Sequence, residues 1–166
     1  MEACFIGHRT IERREELLSL LKETVVMLIK KGVTTFLFGS KSEFDNLSWE
    51  VVSELRQKYP FIKREFVRSN YQQMGKEYKE YLSQFYEQTT FPPKLEKAGK
   101  SSYVERNYTM IDRSSYCVFY YNEKYIPKRR QENKHNKLLP VELKSGTKIA
   151  YAYALKKKKE IVNLYN

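Results

Sequence analysis

Apolar positions along this chain keep two alternating rhythms. Short runs of β-branched and aromatic residues read as buried strands: Ala3–Ile6, Thr34–Phe38, Phe61–Val67, Tyr116–Tyr121 and Glu160–Leu164. Between them, apolar residues recur at helical spacing. Leu17, Leu18, Leu21, Val25, Leu28 and Ile29 make one such face, and Leu47, Val51, Val52 and Leu55 make another. Thr10 is the expected cap of the first helix and Gly32 its terminator, while Tyr59-Pro60 closes the second. Tyr71, Met74, Tyr78, Tyr81 and Phe85 fall on one face of a third helix and read as a packing stripe. Phe91-Pro92-Pro93 interrupts the pattern. Ser102 and Glu105 have capping-box spacing, which predicts a helix ending near Arg113. A polar connection, Asn122–Lys144, is longer than an ordinary loop, and Ser145-Gly146-Thr147 opens the last helix.

Alternation of this kind implies an α/β fold: a Rossmann-like three-layer domain whose mostly parallel sheet has about five strands. Residues 1–166 read as a single domain with a long basic loop at 122–144. At 41% apolar residues the chain has enough material for a core, and no apolar run approaches the roughly 20 residues of a membrane span. The N-terminus lacks the basic and apolar regions of a signal peptide, so a cytoplasmic location is expected. Cys4 and Cys117 lie in strand-like runs and read as reduced core thiols. His8 and His135 are the only histidines and no Cys/His pair has ligand spacing, so neither a metal nor a cofactor is expected.

Charge changes this picture locally. Of a net +11, the stretch Glu123–Lys144 holds +4 and Lys156–Lys159 another +4, which leaves +3 for the rest. Two readings stand: anionic ligands or nucleic acid, or a solvated loop and a lysine-rich helix end favoured by the helix dipole.

Open parallel sheets bind ligands beyond the carboxyl ends of their strands, where strand order reverses. Gly7-His8-Arg9, Gly39-Ser40 and Ser145-Gly146-Thr147 should meet there. The last is suited to a phosphate: free N–H groups at a helix start, a glycine allowing close approach, and the hydroxyls of Ser145 and Thr147 as further donors. A plain N-cap explains the same tripeptide. His8, at the pocket mouth, would titrate near neutrality. Asp45 could bind ribose hydroxyls or act as an acid or base, with helix capping as its alternative role, and Glu50 lies about one turn further on.

The ordered set Cys4–Arg9, Phe38–Asp45, Phe91–Pro93, Arg106-Asn107 and Ser145–Ala150 resembles the SLOG superfamily, which includes the Lonely Guy phosphoribohydrolases and the DNA-processing proteins. It looks closest to the small YpsA-like branch. The resemblance implies a nucleotide-type small-molecule ligand, with Arg9, Arg106 and Asn107 joining the site, and a homodimer. By analogy it also implies a sensor passing occupancy to a protein partner in phage or mobile-element biology. Lonely Guy enzymes carry an Arg-Lys pair and a Pro-Gly-Gly-x-Gly-Thr-x-x-Glu motif. Here Asn107 follows Arg106, and the glutamate position is Ala150, which can neither move a proton nor stabilise a ribosyl cation. A binding module therefore leads. An enzyme cleaving a nucleotide N-glycosidic bond through Asp45 or Glu50 comes second, and a single-stranded nucleic-acid binder third.

Overall fold

The computed structural model describes residues 1–69, 75–126 and 145–165. Six strands, all parallel, form one sheet: β1 (Glu2–Gly7), β2 (Thr35–Phe38), β3 (Lys63–Val67), β4 (Gln88–Thr90), β5 (Tyr116–Tyr120) and β6 (Glu160–Asn163). Their order is β4-β3-β2-β1-β5-β6. The described α-helices are α1 (Arg14–Lys30), α2 (Glu43–Lys58), α3 (Lys76–Phe85), α4 (Ser102–Arg113) and α5 (Gly146–Lys156).

Consecutive strand residues point to opposite faces, and both faces are covered, which explains the unbroken apolar runs. Ala3, Phe5, Phe36 and Phe38 pack on one face with Leu21, Val25 and Leu28 of α1 and Leu47, Val51 and Val52 of α2. Cys4, Ile6, Leu37, Cys117 and Phe119 pack on the other with Met110 and Ile111 of α4 and Ala150 and Ala154 of α5. Cys4 and Cys117 are free, buried and directly opposite each other across β1 and β5. The chain walks outward from β1 to β4, then returns to the other flank of β1 with β5 and β6. Strand order thus reverses between β1 and β5, the kind of point at which open parallel sheets bind ligands, beyond the carboxyl ends of the strands.

The fold is the Rossmann-like one expected, with one strand more. β4 escaped prediction because Gln88-Thr89-Thr90 has no apolar residue; it is an edge strand paired only with β3. Two caps also differ. α1 begins at Arg14 behind a left-handed Arg13 (φ 47°), and Thr10 meets the Tyr125 hydroxyl at 3.3 Å instead of capping. A 3₁₀ turn at Gly99–Ser101 runs straight into α4, so Ser102 lies inside the helix and forms no capping box. The tyrosine stripe of α3 is not core: Tyr78 and Tyr81 are exposed and stack on each other at 6.2 Å, and Leu82 is the helix's buried residue. Tyr71, Met74 and residues 127–144 of the basic loop lie outside the described residues. Gly32, at φ 91°, ends α1 as its position predicted. Among the described residues no helix is long and apolar enough to cross a membrane.

Candidate functional site

The β1–β5 crevice is built around Gly7. A Cβ on Gly7 would sit 2.3 Å from Cδ1 of Phe44, so only glycine lets the α2 ring press against the end of β1. Thr147 ties α5 to the same place by donating its hydroxyl proton to the Gly7 carbonyl at 3.0 Å. Ser145 caps α5, its Oγ accepting from the Lys148 N–H at 3.1 Å. The Thr147 proton that sequence reasoning aimed at a phosphate is therefore committed to the fold. What remains for an anion is the pair of first-turn N–H groups of Gly146 and Thr147 and the Ser145 hydroxyl proton. Among the described residues, a Cβ on Gly146 would meet nothing within 4 Å.

His8 follows Gly7 and is 2% exposed. Its Nε2 accepts from the Asn122 N–H at 2.8 Å, and its ring stacks on Tyr125 at 3.9 Å and 15°. Burial lowers its pKa to about 4, with the Asn122 backbone opposing. The ring is thus neutral at physiological pH, and its Nε2 lies within reach of both the Asn122 N–H, from which it can accept, and the Asn122 carbonyl at 3.1 Å, to which the other tautomer donates. Its buried Nδ1 has no partner. Arg9 is exposed, and its carbonyl accepts from the Glu43 N–H at 2.9 Å.

A second group converges over the end of β2. Ser42, not Asp45, caps α2: its Oγ accepts from the Asp45 N–H at 3.1 Å. Relieved of capping, the Asp45 carboxyl turns inward and is 2% exposed. Burial raises its pKa to about 7, while Arg106 and the polar groups of Gly39 and Ser40 pull the other way. Its Oδ1 is buried without a partner. Arg106, 5% exposed, donates from Nη1 to the Gly39 carbonyl and from Nε and Nη2 to Asn107 Oδ1 at 3.3 and 3.0 Å. Desolvation lowers its pKa, and the charge of Asp45 opposes this. Gly39 makes the approach possible, because a Cβ there would lie 2.7 Å from both Arg106 Nε and Met110 Sδ. Ser40 donates to the Ser42 hydroxyl at 3.0 Å.

Gly39, Ser40, Asp45, Arg106 and Asn107 thus come together, as do Gly7, His8 and Thr147. Glu50 does not join Asp45; it is exposed on α2 and paired with Arg14 of α1 at 2.6 Å. Ala150 is 1% exposed inside the core between α5 and the sheet, so this position does not face the crevice. Among the described residues no three His, Cys, Asp or Glu side chains gather as a metal site would need.

Sequence reasoning missed two residues at this edge. Arg68 follows β3; its N–H donates to the Thr90 carbonyl at 2.8 Å and its guanidinium lies 5.3 Å from the Phe91 ring centre. Its position one residue past a predicted strand was the available signal. Tyr86 sits between Phe38 and Phe66, with ring centres at 6.0 and 5.2 Å, and its hydroxyl pKa is raised by burial and then by the charge of Asp45. Nothing in the sequence marks it.

No protein of curated function matches the chain. The family model YpsA, described as the YspA SLOG family, matches residues 9–155, a span holding Asp45, Arg106 and the Ser145–Thr147 turn, and the chain belongs to that family.

Proposed function

We propose that this protein binds a nucleotide or nucleotide-derived ligand over the carboxyl ends of β1, β2 and β5 and reports its occupancy to a partner. One observation carries the reading. His8, directly after β1, and Asp45, in the first turn of α2, are each 2% exposed, and both hold a buried polar atom with no partner. Buried polar groups are nearly always satisfied, so two polar atoms left open at one edge suit a site waiting for a ligand. The Gly146 and Thr147 N–H groups and exposed Arg9 serve a phosphate, and Asp45 takes a ribose hydroxyl. Arg106 sits below as a fixed charge beside Asp45. Family membership agrees with a nucleotide-related role.

A second reading rests on Asp45 itself. A buried carboxyl titrating at about 7 suits general acid–base work, as an enzyme acting at the ribosyl bond requires. Mass spectrometry of small molecules released from the denatured protein separates the two. An intact nucleotide supports the binding module, whereas free base with ribose phosphate, lost in D45N, supports the enzyme. If nothing is released and calorimetry detects no binding of any nucleoside 5′-monophosphate, the nucleotide reading is wrong.

A further inference from the structure

Resting on that nucleotide reading, we propose that the ligand carries a second phosphate-class anion on its sugar side, received by Arg68 at the end of β3. The Nε of Arg68 is buried and has no hydrogen-bond partner. Among the described residues Arg68 makes no ion pair, unlike Arg56, Arg64 and Arg113, which all meet carboxylates. The Phe91 ring supports the guanidinium from one side without neutralising it. A planar fork of donors, desolvated at one nitrogen and backed by an aromatic ring, is the arrangement that receives a phosphate through two parallel hydrogen bonds.

Position sets the shape of the ligand. Thr147 fastens the start of α5 to the last residue of β1, and Arg68 follows β3, with β2 between them. Adjacent strands lie about 4.8 Å apart, so the two anion sites are about 10 Å apart. A single phosphate cannot touch both. A ribose with one phosphate on its 5′ oxygen and another on its 2′ or 3′ oxygen spans them, and leaves its remaining hydroxyl over the end of β2, where Asp45 stands. A 5′-diphosphate puts both groups on the α5 side and gains nothing from Arg68.

Calorimetry at fixed salt tests this. The four nucleoside 5′-monophosphates first choose the base; its 5′-diphosphate and its 2′,5′- and 3′,5′-bisphosphates follow. The wild type should bind one bisphosphate at least about tenfold more tightly than the monophosphate, as a charge-assisted pair gives, and show no such gain with the diphosphate. R68Q should erase the gain and leave monophosphate affinity unchanged, with R68K keeping part of it. Equal affinity for monophosphate and bisphosphates in the wild type overturns the proposal, and that comparison decides even if R68Q fails to fold. Equal weakening of both ligands by R68Q also overturns it. Failure of every monophosphate to bind sinks the nucleotide reading itself, and this inference with it.

Discussion

Arg106 and Arg113 stand two turns apart on α4 and do opposite things. Arg113 lies at the amino end of the sheet, where Nε and Nη2 grip Glu2 at 3.0 and 2.7 Å and Nη1 and Nη2 grip Glu65 at 2.6 and 2.9 Å. Glu65 is nearly fully buried; burial would raise its pKa, but Arg113 and Thr90 together hold it below the ordinary value. Arg106 lies at the carboxyl end and is the more buried of the two, yet it meets a backbone carbonyl and an amide. Its nearest charge, Asp45, is itself poised between protonation states. One end of the helix is locked by completed ion pairs, and the other holds charge in reserve. The lesson is that pairing, more than burial, separates the structural arginine from the one beside the site.

Stability can break that contrast. R113M leaves the Glu65 carboxylate buried and unpaired, and should cost about 3–5 kcal/mol in urea unfolding at pH 7. R106M should cost only about 1–2 kcal/mol despite deeper burial, because Asp45 can take up a proton and leave no stranded charge. Equal losses would erase the distinction.

Titration sharpens it. Asp45 has a folded pKa of about 7 against an ordinary 3.8. Folding therefore binds a proton between these values, so its contribution is complete below about pH 4 and is lost as pH rises through 7. His8 runs the other way, at about 4 against 6.5: its contribution is complete above 6.5 and is lost as pH falls through 4. Each shift corresponds to up to about 4 kcal/mol, and across pH 4–6.5 the two oppose each other. Relative to wild type, D45N should grow more stable as pH rises over this window, and H8Q should grow less stable. Denaturant midpoints of the three proteins at pH 4.5 and 6.5 check this, and parallel curves would refute the assignment of buried neutral forms.

Glycines at the two halves of the site form a graded series that ends in the smallest expected effect. G7A drives a Cβ into the Phe44 ring and should cost about 2–3 kcal/mol; G39A pushes against Nε and Cδ of Arg106 and Sδ of Met110 and should cost about 1–2 kcal/mol. G146A meets nothing among the described residues and should stay within about 0.5 kcal/mol, while still crowding an anion at the start of α5. Thermal unfolding ranks the three, and a G146A loss as large as that of G7A would show that this turn is packed rather than open.

Much of this was legible in the residues. Five of the six strands announce themselves by apolar runs that two covered faces demand, and Gly7, Gly39 and the Ser145 cap mark strand and helix ends. β4 was not legible, because an edge strand of polar residues is held by backbone pairing alone. Asp45 was placed correctly in space, but the spacing of Ser42 to Asp45, serine three residues before the aspartate, was the sign that a neighbour would do the capping. Glu50 misled because sequence proximity on a helix is not angular proximity: five residues turn it to the solvent face, where Arg14 meets it. Arg68 and Tyr86 depend on which strands end side by side, and that order no local pattern contains.

The strand order also bears on how the protein is made. β1 emerges from the ribosome before the other strands of its sheet but ends in the middle of it, with β2 on one side and β5 on the other. Its second neighbour is completed at Tyr120, about eighty residues after β2 is finished at Phe38, or about 4–16 s of synthesis. Through that interval the nascent chain carries β1 as an open edge, its backbone amides and carbonyls unpaired and half of one sheet face still bare. The same topology that places the crevice beside β1 makes the newborn chain a target for strand pairing with other chains until β5 closes over it.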